Sequence, residues 1–336
     1  MRIESRAPTR IDLAGGTLDI WPLYLFHEGA VTVNCAISRY ASCTLEVHPG
    51  RKSIELASRD TKRAQSFASF TALESARNHR LPLLAHLVRH FRPKVGFSLS
   101  TNSEAPAGAG IGGSSAMAVA LCAALDRLTN AGHDRLDWIA ISRDIEAIVI
   151  KVPTGTQDHF PPAFGGAAAI HLEPGGVRRE ALRIDLDELQ RRVVVCYTGE
   201  PRQSAINNWN VFREHIDGNR QVIRNLEVIS QVAQAMREAL LRANWKEVGR
   251  LMREEWSYRR RNLPTITTPV IDSIIAGAKR AGATAGKVNG AGGGGCVTLL
   301  IEPDARAKVE HAITANGGQL LPLHLDRRGV TVRVTR

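Results

Sequence analysis

The chain has 336 residues, of which 43% are hydrophobic and 23% charged, an ordinary composition for a globular soluble protein and enough for one large or two medium domains. No apolar run reaches the length of a membrane span, and the opening Met1–Arg6 lacks the apolar region of a signal peptide, so a cytoplasmic location without a membrane partner is expected. The formal net charge of +11 would suit nucleic acid, but the arginines are spread without interleaved aromatics and an anionic small substrate suits it at least as well; charge alone does not decide.

The first informative stretch is Arg6-Ala-Pro-Thr-Arg-Ile-Asp-Leu-Ala-Gly-Gly-Thr-Leu-Asp-Ile-Trp-Pro22, a short strand pattern broken at Gly15-Gly16. Thr17 and Asp19 then sit on a tight turn, where polar side chains recognise hydroxyls; an Asx-turn satisfying its own backbone is the plainer alternative. Alternating segments predict strands over 30–37, 41–47, 53–57 and 95–100, and a helix over 81–91.

Glu104-Ala-Pro-Ala-Gly-Ala-Gly-Ile-Gly-Gly-Ser-Ser115 follows, leading into an apolar helix over 116–128. Glycines this dense pack no core; they free backbone N–H groups to point at one spot. Ser114 or Ser115 is a good N-cap, and the helix terminus adds partial positive charge, so the stretch suits phosphate. Gly108-x-Gly110-x-x-Gly113 matches the dinucleotide fingerprint formally, yet the polar 100–104 and Pro106 part it from the preceding strand, and no Walker loop is present.

A helix over 133–150 buries Leu136, Ile139, Ile145 and Ile148 and places Glu146 in apolar company, where a carboxylate needs a cation. Val152-Pro-Thr-Gly-Thr-Gln-Asp-His-Phe160 presents Gln157, Asp158 and His159 on a loop or helix start. A Pro/Gly turn at 174–176 opens the change of domain, dividing the chain into 1–180 and 181–336. Beyond it come a strand over 192–197, a long helix over 219–244 with Val222, Leu226, Ile229, Ala233, Met236 and Leu240 at core spacing, and helices over 246–262 and 268–281. The Arg259-Arg-Arg261 triplet reads as a solvated helix end. Gly290 and Gly292–Gly295 then run into a buried strand over 296–301, and a helix over 303–316 and strands over 319–325 and 329–335 complete the layer. Five scattered cysteines read as reduced core residues.

Four of these stretches, in this order, resemble segments of the GHMP kinases, the superfamily of galactokinase, homoserine kinase, mevalonate kinase and phosphomevalonate kinase; Arg6–Pro22 resembles their first motif, where the turn holds the phosphoryl acceptor. The glycine–serine loop resembles their ATP loop, with Gly113 where many members carry Ser or Thr. Thr154-Gly-Thr-Gln-Asp-His-Phe160 resembles the segment bearing the catalytic base, and Lys287-Val-Asn-Gly-Ala-Gly-Gly-Gly-Gly295 the motif that closes over the site. The heptose-phosphate kinases, the nearest resemblance, usually carry Gly-Gly-Lys-Gln-Asp-Gln-Tyr at the base-bearing segment; this chain lacks that Lys and Tyr.

The resemblance implies an α+β two-domain fold, with a ribosomal-protein-like N-terminal domain and a ferredoxin-like C-terminal one. It implies ATP held by Pro106, Gly108, Gly110, Gly112, Gly113, Ser114, Ser115, Gly292 and Gly293, and Mg²⁺ held by Ser115 and Glu146. Asp158 becomes the base, Arg10 a neighbour of the reacting oxygen, and Thr17, Asp19, Gln157 and Arg202 the substrate contacts. The implied reaction is phosphorylation of a sugar or sugar phosphate, at its anomeric hydroxyl, with Arg202 and Arg259–Arg261 as candidates for a distal phosphate. The alternatives are a galactokinase-like enzyme for an unphosphorylated sugar, a non-catalytic sugar sensor, a dinucleotide-dependent oxidoreductase and an RNA-binding protein; a homodimer stays open.

Overall fold

A computed structural model describes residues 1–201 and 204–335, with the side chains of 202–207 outside the description. The N-terminal half runs β1 (Arg2–Ala14), β2 (Val31–Val47), β3 (Ile54–Ser58), β4 (Arg63–Phe67), α1 (Phe70–Ser75), α2 (Pro82–Phe91), β5 (Phe97–Ser103), α3 (Gly113–Thr129), α4 (Arg135–Ile150), α5 (Phe160–Phe164), β6 (Ala167–Glu173) and β7 (Gly176–Ala181). It continues through α6 (Leu186–Arg192), β8 (Val193–Tyr197), α7 (Ser204–Ile216), α8 (Arg220–Leu241), α9 (Trp245–Asn262) and α10 (Pro269–Arg280). The last elements are β9 (Ala283–Val288), β10 (Cys296–Ile301), α11 (Arg306–Ala315), β11 (Gln319–Leu320) and β12 (Thr331–Thr335).

Among the described residues, the larger sheet has the order β12-β1-β2-β5-β3-β4, with β6 on β2 and β7 on β6; the smaller is β11-β8-β10-β9. The two are fused through one core in which Ile11 and Val33 of the larger sheet meet Met236 of α8 and Val195 and Ala285 of the smaller. β1 explains the fusion. Its first residues alternate between exposed and buried, but from Ala7 to Ala14 every residue is buried. A strand covered on both faces must carry apolar side chains or neutralised charges. Arg10 and Asp12 are the charges, so the sequence forces partners to them.

The structure differs from the periodicity in several places. The two strands expected over 30–37 and 41–47 are one, β2, which stays paired with β1 through irregularities between Pro8 and Thr9 and between Asp12 and Ala14. Such bulges re-aim backbone groups, and here the Arg10 N–H leaves the ladder to donate to Ile111 O of the glycine loop at 2.9 Å. Leu136 and Ile148 are 54% and 58% exposed, so only Ile139 and Ile145 of the expected α4 face are buried. The turn at 174–176 joins the β6–β7 hairpin inside the larger sheet. The final strand pairs with β1, Arg2 to Arg6 against Thr335 to Thr331, and so belongs to the first sheet, not to the C-terminal layer. α8 is as expected, with all six core positions buried. The five cysteines are buried, and no described helix is long and apolar enough to cross a membrane.

One packing detail has a measurable consequence. His27, after the Gly15–Asp19 turn, meets His215 of α7 at a ring separation of 5.0 Å, and among the described residues neither ring has a hydrogen-bond partner. Burial, then the neighbouring His215, hold the His27 imidazole down at about 4. A group depressed this way stays neutral in the fold while the unfolded chain takes up a proton below its ordinary value near 6.5. Stability attached to it is complete above pH 6.5 and declines as pH falls toward 4. Thermal unfolding at pH 7.5 and 5.0 is therefore expected to show a smaller acid loss of Tm in His27→Leu than in the parent; equal losses would remove the role.

Candidate active site

The glycine loop follows β5, which extends to Ser103, further than its polar sequence suggested. The expected serine cap is not formed. Gly112 caps α3 in the left-handed region at φ 75°, and no side chain caps the helix. The serine hydroxyls are thereby freed, and both Ser114 and Ser115 line a cleft of about 510 Å³. Pro106, Gly108, Gly110, Gly112 and Gly113 line the same cleft, as do Arg10, Thr17, Asp19, Glu146, Gln157 and Asp158. Three stretches far apart in sequence are thus brought to one place. Arg202 lies outside the described residues.

Arg10 joins the parts. It is 1% exposed. Its Nε and Nη2 donate to Asp158 Oδ1 at 2.8 and 2.6 Å, and its Nη1 donates to Gly110 O at 2.7 Å. Burial opposes its charge, but the Asp158 and Asp12 carboxylates outweigh that and hold the guanidinium above its ordinary value. One rigid fork therefore fixes Asp158 relative to the glycine loop.

Asp19 ties the first turn to the base segment. Its Oδ2 accepts the Gln157 N–H at 2.9 Å, across a gap that Gly155 alone permits, since a Cβ there would lie 2.2 Å from that oxygen. The Asx-turn alternative is not what forms. Burial, then the charge of Asp158, push the Asp19 carboxyl up to about 6. Thr17 holds φ 85°, a conformation unfavourable for a β-branched residue, with its hydroxyl 3.4 Å from Asn208 Oδ1 of α7. Strain retained on a cleft-lining turn is the mark of a working position.

The metal assignment fits its residues. Glu146 is buried yet lines the cleft, and its Oε2 accepts the Ser115 hydroxyl at 2.9 Å. Burial opposes its ionisation, but contacts with His159, Ser114 and Ser115 prevail and hold it below the usual carboxylate range. An ionised carboxylate beside a hydroxyl whose lone pairs remain available is the hard-oxygen donor set that Mg²⁺ accepts.

The third glycine motif is placed differently from expectation. Gly293 donates to Ile266 O at 2.8 Å, and a Cβ on Gly292 would lie 2.2 Å from the Ile266 side chain. Among the described residues lining the cleft the motif contributes Gly290, not Gly292 or Gly293. Its contact with the phosphate loop is made lower down. Cys296 N–H donates to Ala109 O at 2.7 Å, and a Cβ on Gly295 (φ 83°) would stand 2.7 Å from the same oxygen.

A second set of charges lies beneath the first turn, unseen in the sequence reading. Lys287 Nζ is 2.9 Å from Glu255 Oε1 and 3.2 Å from Asp12 Oδ2, and all three side chains are fully buried. Arg259 adds its Nη1 at 3.6 Å from Asp12 and donates to Gly290 O. Burial would raise the Asp12 carboxyl, but Lys287, then Arg259 and Arg10, hold it low; Glu255 is pushed up by burial in spite of Lys287. Asn289 Oδ1 accepts the Asp12 N–H at 3.1 Å. Arg259 is thus not the solvated helix end it resembled, and its charge is already met; Arg260 and Arg261 remain exposed. The one available signal was an aspartate, Asp12, inside an apolar strand. Asn208 and the wall made by Ser58, Asp60, Thr61, Arg63 and Arg80 were likewise missed, since single polar residues on ordinary elements carry no spacing signature.

Removing one partner of a buried charge cluster strands the others at a penalty of about 3–5 kcal/mol. Lys287→Met is therefore expected to lower Tm by roughly 6–10 °C, read by calorimetry. An unchanged Tm would show that the cluster contributes nothing to the joint between the sheets.

Residues 79–166 match the family described as GHMP kinases N terminal domain, and 236–319 the one described as GHMP kinases C terminal. The chain is 27% identical over 341 residues to a D-glycero-alpha-D-manno-heptose 7-phosphate kinase of Campylobacter jejuni, covering 98% of both. It is also 27% identical over 243 residues to a mevalonate kinase of Thermococcus onnurineus, covering 70% of this chain and 69% of the relative. Among solved structures, a D-glycero-D-manno-heptose 1-phosphate kinase from Bacteroides thetaiotaomicron superposes with a TM-score of 0.80 at 24% identity over 99% of each chain. Lactococcus lactis galactokinase complexed with galactose gives 0.80 at 17% identity, over 98% of this chain and 95% of that one. At these identities the structural likeness speaks for the fold.

Proposed function

The chain belongs to the GHMP kinases, and on that premise we propose that it transfers the γ-phosphoryl group of ATP to the anomeric hydroxyl of a sugar phosphate of the heptose 7-phosphate kind. The observation that carries this reading is the Arg10 fork, which sets Asp158 against the phosphate loop in one cleft. The full-length likeness to a heptose 7-phosphate kinase supports the acceptor.

In this reading the loop amides and the α3 terminus hold the triphosphate, where oriented N–H groups and the helix dipole favour anionic oxygens. Ser115 and Glu146 would hold Mg²⁺, which when bound neutralises charge on the phosphates. Asp158 receives the acceptor proton. A sugar hydroxyl is a weak acid and an aspartate a weak base, so the proton moves late, after the sugar oxygen has begun to bond to phosphorus. The anomeric hydroxyl is the most acidic on a sugar, which suits such a base. Arg10 keeps Asp158 aimed, while Thr17, Asp19 and Gln157 meet the ring hydroxyls.

A galactokinase-like reading is favoured by one observation. Of the lining cations among the described residues, Arg10 is paired with Asp158, and Arg63 and Arg80 come with the 58–84 segment, not with the substrate turn. The deciding measurement is kcat/KM for matched sugars with and without a distal phosphate, with the product read by phosphorus NMR. A preference for the phosphorylated sugar and a 1-phosphate product are expected; preference for the free sugar selects the second reading, and phosphate on another carbon sinks the regiochemistry.

Asp158→Asn keeps the shape of the site and is expected to cut kcat by about a hundredfold or more, the scale of lost general-base help, with ATP affinity held within a few-fold. Retained kcat with a raised sugar KM would reduce Asp158 to a binding residue.

A further inference from the structure

His159 follows Asp158 in the chain and does not line the cleft. Its side chain is 0% exposed, and its Nε2 stands 3.1 Å from Glu146 Oε2. The approach is close but not along a ring N–H direction, and among the described residues neither ring nitrogen has a hydrogen-bond partner. A buried imidazole held this way is less favourable than an apolar side chain of the same size. The packing around it would accept one, because Phe160 and Ala163 of α5, Ile139 of α4 and Val119, Ala120 and Ala123 of α3 form an apolar cluster there. The histidine is retained where it touches a carboxylate.

That carboxylate has two sides. Glu146 lines the cleft, while His159, wholly enclosed and absent from the described cleft lining, stands behind it. Oε2 is thus met by the Ser115 hydroxyl at 2.9 Å and by His159 at 3.1 Å. Ser115 spends its proton on Glu146, leaving its oxygen lone pairs for a cation. We propose that His159 is a positioning residue for the divalent cation: it pins Glu146 Oε2, so that the other carboxylate oxygen and the Ser115 oxygen are preset as hard ligands. A glutamate otherwise surrenders rotamer freedom on being fixed, and a residue that fixes it beforehand spares the metal that loss. The pin also couples the cation to the base, since His159 and Asp158 are adjacent in one turn of helix, Gln157–His159.

This inference rests on the reading of Ser115 and Glu146 as the metal ligands, and the test separates the two. The probe is Mn²⁺, titrated into the full-length protein saturated with adenosine 5′-(β,γ-imido)triphosphate, with free Mn²⁺ followed by electron paramagnetic resonance against nucleotide alone. His159→Leu is expected to weaken Mn²⁺ at least about tenfold, the lower end for loss of an outer-shell partner. Metal-free nucleotide affinity should be unchanged. His159→Gln, which restores a donor at the reach of Nε2, should recover Mn²⁺ affinity to within about threefold; a role in packing alone predicts that Leu and Gln behave alike. If Glu146→Gln loses Mn²⁺ and His159→Leu does not, the positioning role is overturned while the metal site stands. If Glu146→Gln keeps Mn²⁺, the metal site itself is wrong and the proposal falls with it. Should His159→Leu fail to fold, a Gln variant that binds Mn²⁺ no better than Glu146→Gln overturns the proposal, and one that matches the parent supports it.

Discussion

A guanidinium enclosed between two layers cannot be left unmet, and Arg10 is such a group. Its neutralisation requires Asp158 and the Gly110 carbonyl to stand within hydrogen-bond reach of one planar fork. The distances that matter to phosphoryl transfer, from loop to base, are therefore set by the folding requirement of a strand residue. Catalysis of this kind is mostly positioning and charge compensation, so the fold's own electrostatic necessity supplies much of what the reaction needs. Two residues further along β1, Asp12 makes the same demand on Lys287 and Arg259, and that demand binds the second sheet to the first. Buried ion pairs add little net stability compared with apolar replacements, yet they are intolerant of losing one member. That asymmetry favours a joint with one permitted geometry.

How much of this could be read from the residues depends on what kind of constraint each feature obeys. The phosphate loop was legible because a backbone that visits the left-handed region at Gly108, Gly110 and Gly112 leaves glycine as its trace. The α8 core was legible through its helical period. Asp158, Arg10, Asp19 and Glu146 were reached through the resemblance of motifs, and they converge on one cleft. The Asp12–Lys287–Glu255 cluster was invisible because its members lie in different motifs, with Asp12 bonded to a residue 277 positions away. Nothing local selects such a partner. The serine cap failed for a related reason: hydroxyls that suit a cap equally suit a carboxylate, and tertiary contact with Glu146 prevailed. Gly292 and Gly293 show that a glycine run records close approach without saying to what, and here it is to Ile266.

The substrate turn and the base segment are held by separate devices that share members. Asp19 accepts from Gln157, and Asp158 takes the fork of Arg10, so two acidic side chains sit close in a partly enclosed site. Burial, then the charge of Asp158, raises Asp19, while Asp158 takes both donors of the Arg10 fork. Two carboxylates of one residue type are thus given different surroundings in one cleft.

The return of β12 to the edge of β1 bears on how the protein is made. A ribosome releases residues in order, and β1 emerges first, with its Arg2–Arg6 segment presenting unpaired backbone until Thr331–Thr335 arrive. An open strand edge invites pairing with other chains, and closure across so long a sequence separation is slow. The first sheet therefore waits with a vulnerable flank until β12 is made. The alternation of Arg2, Glu4 and Arg6 along that flank supplies the charge that discourages a stranger from pairing there before the chain's own last strand does.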